Sequence, residues 1–169
     1  MLSIGSNLGD RLAHLRGCVT MLGNGVRAAS PVYSTVPWGA TERVAEQDDF
    51  LNAVLLVDDP DADGWEWLRR GRRCEAAAQR TREVRWGPRT LDVDVIDVEL
   101  TQQDDPHLTL PHPRAHQRAF VLVPWLDVAP RAVLPGHGPV ADLVAALPAE
   151  QLRDVQRRDD LTWYPSGTP

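Results

Sequence analysis

Apolar and acidic residues alternate one by one from Leu91 to Val95. Successive side chains of a β-strand point to opposite faces, so this pattern predicts a strand, which we place at Thr90 to Val98, with its aliphatic side chains against a core. Asp92 and Asp94 then project together from the other face, about 7 Å apart along the strand. The chain must therefore build a sheet of which one face is buried.

Apolar runs and turn residues predict the other elements. A strand ends near Ser6, and Asp10 is placed to cap a helix that ends at Gly23. The remaining predicted elements are strands within Val26 to Val36 and at Phe50 to Val57, a helix from Asp61 to about Arg82, a proline-bounded segment at Leu108 to Pro113, a helix or strand at Phe120 to Leu126 and a helix at Val140 to Leu147.

The order strand, helix, strand, strand, helix, strand is the ferredoxin-like βαββαβ arrangement. It predicts an α+β sandwich, in which helices pack on one face of a mainly antiparallel sheet. At 169 residues the chain has the length of one domain, which we place at 1–160, with a frayed tail at 161–169. The loop from Pro37 to Asp49 is long enough to be a binding or lid segment.

The basic side chains restrict the chemistry, because all 18 are arginine and the chain contains no lysine. This excludes a Walker A phosphate site, a Schiff base and a pyridoxal phosphate anchor. A phosphate must then be held by arginine, histidine, backbone or metal. The net charge of −6 argues against a general nucleic-acid binder.

The cysteine spacing and the hydropathy indicate the compartment. Cys18 and Cys74 are far apart in helix-like sequence, so we expect two buried free thiols rather than a disulfide or a zinc site. There is neither an apolar run of membrane-spanning length nor a secretory signal pattern. We expect a cytoplasmic protein that binds no membrane.

Four arginines precede the acidic pair within ten residues: Arg80, Arg82, Arg85 and Arg89. Four neighbouring positive charges repel one another unless they are solvated or share an anion. A planar guanidinium group can bind phosphate through two parallel hydrogen bonds. Acids that hold a metal beside arginines that hold oxygens suit a metal-bound polyphosphate. The alternatives are a half-solvated strand for the two acids and a solvated basic helix end for the arginines.

Two further groups of residues have side chains suited to binding. His112 and His116 are four residues apart, but Pro113 disfavours helix at His112, so a phosphate contact or a proton donor beside Arg118 is preferred to zinc. Strand alternation puts Phe50 and Asn52 on one face. A flat heterocycle could stack there on the Phe50 ring, while the Asn52 amide forms hydrogen bonds with the edge of the heterocycle. A core position for Phe50 is the alternative.

Taken together, these residues resemble the 6-hydroxymethyl-7,8-dihydropterin pyrophosphokinase family of folate biosynthesis, over roughly residues 2–130. The resemblance is carried by G-S-N-L-G-D at 5–10, S-T-V-P-W-G at 34–39, F-L-N at 50–52, R-W-G-P-R-T-L-D-V-D at 85–94 and L-P-H-P-R at 110–114, followed by R-A-F-V-L-V-P. The block at 85–94 is the most specific of these.

The resemblance implies transfer of the β,γ-pyrophosphoryl group of ATP to the pterin hydroxymethyl oxygen, with release of AMP and two Mg²⁺ ions as cofactors. It implies Asp92 and Asp94 as metal ligands and, with Arg80 and Arg82, as catalytic residues. The implied pterin site is Thr35, Pro37, Trp38, Phe50, Asn52 and Phe120. The implied ATP site is Glu75, Arg82, Trp86, Arg89, His112 and Arg118. Small molecules are the only partners expected, and we expect a monomer.

Two of the chain's departures from the family pattern lie on either side of the acidic pair. Asp97 and Glu99 interrupt the apolar run that generally follows the second aspartate, which predicts a strand that ends early or lies at a sheet edge. Gln79 replaces a glycine that often precedes the first loop arginine. A metal-dependent phosphohydrolase or nucleotidyltransferase, and a non-catalytic nucleotide-binding module, are the rival functions.

Overall fold

The computed structural model describes residues 1–37, 47–80, 88–99 and 101–164. Its regular elements, in chain order, are β1 (Leu2–Ser6), α1 (Arg11–Leu22), β2 (Val26–Ala29), β3 (Tyr33–Thr35), β4 (Phe50–Val57), α2 (Gly64–Ala77), β5 (Asp92–Val95), β6 (Gln103–Asp105), β7 (Leu108–Leu110), α3 (Ala119–Val128), β8 (Val133–Leu134), β9 (Gly138–Pro139), α4 (Val140–Ala146), α5 (Ala149–Arg153) and β10 (Val155–Arg157). In this part of the chain no helix has both the length and the apolar character needed to cross a bilayer.

The main sheet is antiparallel throughout. Its strands follow the order β10, β3, β4, β1, β5, and β2 pairs with the second half of β4. β1 lies between β4 and β5, so Gly5 has Asn52 as its neighbour on one side and Asp92 on the other. The expected α+β class with a mainly antiparallel sheet is confirmed.

β5 is the edge strand next to β1 and is shorter than the predicted segment. It stops at Val95, in agreement with the interruption by Asp97 and Glu99. Ile96 already belongs to a different part of the core, and its carbonyl oxygen accepts a hydrogen bond of 2.7 Å from the backbone N–H of His112. The strand therefore ends where the chain turns and hydrogen bonds to the segment that follows β7.

Helix α1 forms where the sequence predicts it. Asp10 caps its first turn by accepting from the N–H of Ala13 at 3.0 Å, and the chain leaves the helix at Gly23 with a φ of 57°. Cys18 of α1 and Cys74 of α2 are both buried and free, as expected.

Helix α2 is shorter than the predicted Asp61 to Arg82. Asp63 caps it through the N–H of Glu66 at 2.8 Å, and the helix ends at Ala77. Gln79 follows in the left-handed region with a φ of 53°, a conformation incompatible with further helix. This early end leaves Arg80 outside the helix.

Helices cover both faces of the sheet, not one face as predicted. Leu2, Ile4 and Val93 pack with buried residues of α1 and α2 on one face. Val54 and Ile96 pack on the other face with residues of α3 and α4. The reason is that α3 is apolar nearly all round, so it needs a sheet surface of its own.

The segment after Asp160 packs against the core as far as it is described, whereas we predicted a frayed tail. Trp163 is 8% exposed, and its Nε1–H donates to the carbonyl oxygen of Ser30 at 2.9 Å. Burial of so large an aromatic side chain holds residues 161–164 in place. Residues 165–169 lie outside the described part of the chain.

Candidate active site

The two acids of β5 project from the sheet face opposite α1 and α2. Asp92 and Asp94 have 20% and 35% of their side chains exposed, while Val93 and Val95, which alternate with them, are buried. The neighbour of Asp92 on β1 is Gly5, and that of Asp94 is Ser3. Neither acid is turned into the aliphatic core, so both carboxylates are available for chemistry.

Asp92 lies between two arginines. Arg80 donates from Nη1 to Asp92 Oδ1 at 2.6 Å, and Arg89 pairs with Asp92 Oδ2. Arg80 also pairs with Glu75 of α2, whose Oε1 accepts the backbone N–H of Val93 at 3.1 Å. Glu75 thus ties the end of α2 to the outer edge of β5 and holds Arg80 beside the acid.

Asp94 has its own arginine. Arg118, at the start of α3, donates from Nη1 to Asp94 Oδ2 at 3.0 Å, and its guanidinium carbon lies 5.5 Å from the centre of the Phe120 ring. The planar guanidinium group can interact with an aromatic face at this distance. Phe120 is thereby positioned on the same side of the sheet as the two acids.

Both buried arginines retain binding capacity. The Nε atoms of Arg80 and Arg118 are buried and have no hydrogen-bond partner among the described residues, and each side chain is only 10% exposed. A buried donor without an acceptor is costly, commonly about 1–3 kcal/mol. An anion that reached either Nε would remove that cost.

The other half of the site lies on β3 and β4. Asn52 is buried, and its Nδ2 donates to Thr35 Oγ1 at 2.6 Å. Phe50 shares this face of β4 and is half-buried, and Pro37 follows β3 two residues after Thr35. The amide and the ring that we predicted for a flat heterocycle therefore face the same side as the acids.

His112 is placed near the second acid. Its backbone N–H is held by Ile96, and its Nδ1 accepts the N–H of Arg114 at 3.2 Å. Burial lowers the pKa of His112; the charge of Asp94 opposes this shift, while Arg118 and Arg114 reinforce it. Nδ1 is occupied by the backbone, so Nε2 is the nitrogen that remains for a ligand.

His116 does not join His112 in a zinc site. Its ring stacks on His137 with 4.0 Å between the centroids and an angle of 11°. Within residues 1–37, 47–80, 88–99 and 101–164, no group of three or more His, Cys, Asp or Glu side chains is arranged to hold a metal ion.

The acidic pair nevertheless suits Mg²⁺. Mg²⁺ in phosphate-transfer sites is bound by one or two carboxylates, and the rest of its shell is water and substrate phosphate. Asp92 and Asp94 supply two partly exposed carboxylates on one face, beside Arg80 and Arg118, whose Nε donors have no partner among the described residues. A dedicated cage of protein ligands is not required for such an ion.

Three of the predicted site residues fall outside the described part of the chain. They are Trp38 of the pterin set and Arg82 and Trp86 of the ATP set. The structure brings together the other ATP and metal residues around Asp92 and Asp94, and it joins Thr35 to Asn52.

Sequence reasoning assigned no role to two residues at the end of β1. Gly5 lies beside Asn52, and a Cβ there would overlap Asn52 Oδ1. Asn7 is buried and hydrogen bonds to Arg89, Gln47 and Asp48. The available signal was the G-S-N-L-G segment itself, in which a glycine ends a strand and an amide immediately follows it.

Comparisons with known proteins agree with this geometry. A family model described as 7,8-dihydro-6-hydroxymethylpterin-pyrophosphokinase matches residues 1–130. Proteins named 2-amino-4-hydroxy-6-hydroxymethyldihydropteridine pyrophosphokinase are similar to the chain: that of Mycobacterium bovis is 52% identical, over 89% of this chain and 85% of the relative. Those of Methylorubrum extorquens and Bacillus subtilis are 44% identical (80% of this chain, 85% of the relative) and 35% identical (75% of each). This chain belongs to the 7,8-dihydro-6-hydroxymethylpterin-pyrophosphokinase family.

Proposed function

We propose that this chain transfers the pyrophosphoryl group of ATP to 6-hydroxymethyl-7,8-dihydropterin, giving the pterin diphosphate and AMP in folate biosynthesis. The observation that carries the proposal is the pairing of Asp92 and Asp94 with Arg80, Arg89 and Arg118 on one face of the sheet. Transfer of this kind depends on positioning and charge neutralisation more than on covalent catalysis, so acids, arginines and Mg²⁺ are the equipment it requires.

The arginines are the groups that hold ATP in this proposal. Arg80 and Arg89 neutralise Asp92 in the structure, and the unpartnered Nε of Arg80 gives it a second direction in which to bind. As the triphosphate enters, these guanidinium groups exchange the carboxylate for phosphate oxygens and leave Asp92 free to act as a ligand. Arg118 releases Asp94 in the same way, and His112 contributes Nε2 to the phosphates.

Asp92 and Asp94 would hold the Mg²⁺, with two ions expected from the family resemblance. When bound, such ions neutralise phosphate charge and polarise the phosphorus under attack. The two carboxylates would orient the phosphate chain, and Gly5 and Ser3 are their neighbours on β1. Arg82, outside the described residues, is the second catalytic arginine of the proposal.

The pterin is placed between Phe50 and Phe120 in this proposal. Asn52 supplies hydrogen bonds to the edge of the ring, and the hydroxyl of Thr35 fixes its amide. Pro37 and Trp38 are the further pterin contacts of the proposal, and Trp38 lies outside the described residues. The hydroxymethyl group then points along the sheet face towards Asp92, where the pyrophosphoryl group arrives.

The finer fold assignment is the ferredoxin-like βαββαβ arrangement over a single domain of residues 1–160. It is supported by the order β5, β1, β4, β2 with β3, in which α1 and α2 connect alternate strands and cover one face. We further propose a cytoplasmic monomer that binds neither nucleic acid nor membrane. The two buried free thiols are typical of a reducing compartment, and the net charge of −6 argues against a general nucleic-acid binder.

The test is to incubate the protein with ATP and reduced hydroxymethylpterin, with and without Mg²⁺, and to separate the nucleotides. AMP should accumulate with a stoichiometric amount of pterin diphosphate, and only when both pterin and Mg²⁺ are present. Release of ADP or phosphate without pterin would instead indicate the rival hydrolase or nucleotidyltransferase. Binding of ATP with no turnover would indicate the non-catalytic module.

A further inference from the structure

Asn7 links the end of β1 to the segment before β5. Its backbone N–H donates to the carbonyl oxygen of Arg89 at 3.0 Å, and its side-chain Oδ1 accepts the backbone N–H of Arg89 at 2.7 Å. The two bonds fix the backbone of Arg89 in both directions. Arg89 in turn pairs with Asp92, so Asn7 sets where the chain carrying this arginine enters the site.

The same side chain reaches the segment before β4. Its Nδ2 donates to Gln47 Oε1 at 3.0 Å and to the carbonyl oxygen of Asp48 at 3.3 Å. The next residue, Asp49, is held from the far side, where Arg11 donates to its carbonyl oxygen at 2.6 Å. This segment leads directly into Phe50 and Asn52.

The hydrogen-bonding capacity of the amide is therefore divided between the two halves of the site. A primary amide has two N–H donors and one carbonyl acceptor, and here the donors face the 47–48 segment while the acceptor faces Arg89. Asn7 is only 2% exposed, so water cannot replace a lost partner cheaply. A carboxylate at this position would lack both donors, and a hydroxyl would supply only one of them.

We propose that Asn7 is a positioning residue that couples the ATP half of the site to the pterin half. Its Oδ1 aligns the Arg89 backbone for the phosphates, and its Nδ2 aligns the entry to β4 for the pterin. It touches neither substrate and acts through these two segments. The inference rests on the proposed function and adds to it a residue that sets both affinities.

Two substitutions separate the two halves. Asn7→Asp keeps the acceptor for Arg89 but loses both donors, and it turns a carboxylate oxygen towards Gln47 Oε1 and Asp48 O. The KM for pterin should therefore rise by about tenfold or more, while the KM for ATP stays within about twofold. Asn7→Ala loses the side-chain bonds to both segments and keeps only the backbone bond to Arg89, so both KM values should rise and kcat should fall. Gln47→Ala removes one partner and should give a smaller rise in the pterin KM alone.

The control is Ser30→Ala. Like Asn7, Ser30 is a buried polar residue whose side chain both donates and accepts a hydrogen bond, but it lies away from the proposed site. Ser30 Oγ donates to Pro31 O at 2.8 Å and accepts from the N–H of Val54 at 2.9 Å. This variant should lose thermal stability without moving either KM. If Asn7→Ala does not fold, the selective pterin defect of Asn7→Asp and Gln47→Ala carries the test.

The outcomes distinguish this inference from the proposed function. Wild-type protein that releases no AMP overturns the proposed function. Active wild-type protein whose Asn7→Asp variant melts earlier, yet keeps both KM values and kcat within about twofold, shows a structural role only and overturns the coupling. An equal rise of both KM values in Asn7→Asp also overturns it, because the division of the amide predicts a difference.

Discussion

Gly5 and Asn52 are paired across β1 and β4, and the absence of a side chain at Gly5 is what gives the Asn52 amide its place. A methyl group at Gly5 would overlap Asn52 Oδ1 and come within 3.6 Å of Phe50. The amide is confined between this glycine and the Thr35 hydroxyl, 2.6 Å from its nitrogen. Close packing thus fixes the direction in which the Asn52 amide can form hydrogen bonds with a ligand.

Gly5→Ala should therefore weaken pterin binding. The added methyl group rotates Asn52 away from Thr35, and we expect a rise of about tenfold in the pterin Kd, while that of an ATP analogue is unchanged. Fluorescence titration with each ligand measures this. Thr35→Val, which removes the acceptor without adding volume, should produce a similar defect; pterin binding of wild-type strength in both variants would mean that Asn52 does not read the ring.

Asp94→Asn should abolish most of the turnover with the fold retained. The amide oxygen can still accept from Arg118 Nη1, but the charge that would bind Mg²⁺ is lost, so kcat should fall by about a hundredfold or more. AMP release over a Mg²⁺ titration measures the change, and circular dichroism checks the fold. Asp104→Asn, at an exposed acid of β6, is the matched control and should leave turnover at the wild-type level.

Gly71→Ala should destabilise the protein through the contact of α2 with β5. A Cβ at Gly71 would lie 2.9 Å from Val93 Cγ1 and 3.2 Å from Val93 Cβ, closer than packed carbons tolerate. Overpacking costs about 1–3 kcal/mol, and the better helix propensity of alanine offsets about 1 kcal/mol of it.

Gly17→Ala on α1 isolates the propensity effect, because nothing lies within 4 Å of the added methyl group. Urea unfolding should give a lower free energy of unfolding for Gly71→Ala and an equal or higher one for Gly17→Ala. A stabilised Gly71→Ala would show that α2 is free to move away from Val93.

The stacked pair His116 and His137 should make stability fall in mild acid. Burial, and then the charge of His137, lower the pKa of His116 below its ordinary value of ~6.5. Below ~6.5 the unfolded chain takes up a proton that the folded chain refuses, so this contribution to stability is present above ~6.5 and is lost as the pH falls through the folded value.

His116→Phe keeps a ring against His137 but does not titrate. Its melting temperature should therefore decline less between about pH 7 and 5 than that of the wild type. His112 also has a lowered pKa, but it titrates in both proteins and cancels in the comparison. Parallel declines in the two proteins would exclude His116 as the source.

The sequence predicted those parts of the site that depend on local periodicity. Strand alternation placed Asp92 and Asp94 on one face, and the same rule put Phe50 beside Asn52. The Asp10 cap and the early end of β5 also followed from local residues. These features need only the alternation of a strand or the bonds of a helix end, which a few neighbouring residues determine.

Features that depend on distant segments were not predicted. Helices cover both faces because α3 packs on the sheet around Val54. This contact joins residues that are far apart in sequence, so hydrophobic periodicity does not predict it. The end of α2 before Arg80 depends on Gln79 adopting a left-handed conformation. The bonds of Asn7 join residues 40 and 82 positions away along the chain, so no local pattern could reveal them.

Strand β10, late in the chain, pairs with β3 at the edge of the main sheet. Residues Val155–Arg157 lie beyond the stretch matched by the family model, residues 1–130, yet they occupy the outer side of β3, the strand that carries Thr35. A protein trimmed to that matched stretch would keep every charged group of the proposed site. It would also expose unpaired backbone N–H and C=O groups along β3, with which a strand of a second molecule could pair. Residues outside the proposed site thus protect the β3 edge from pairing with a second molecule.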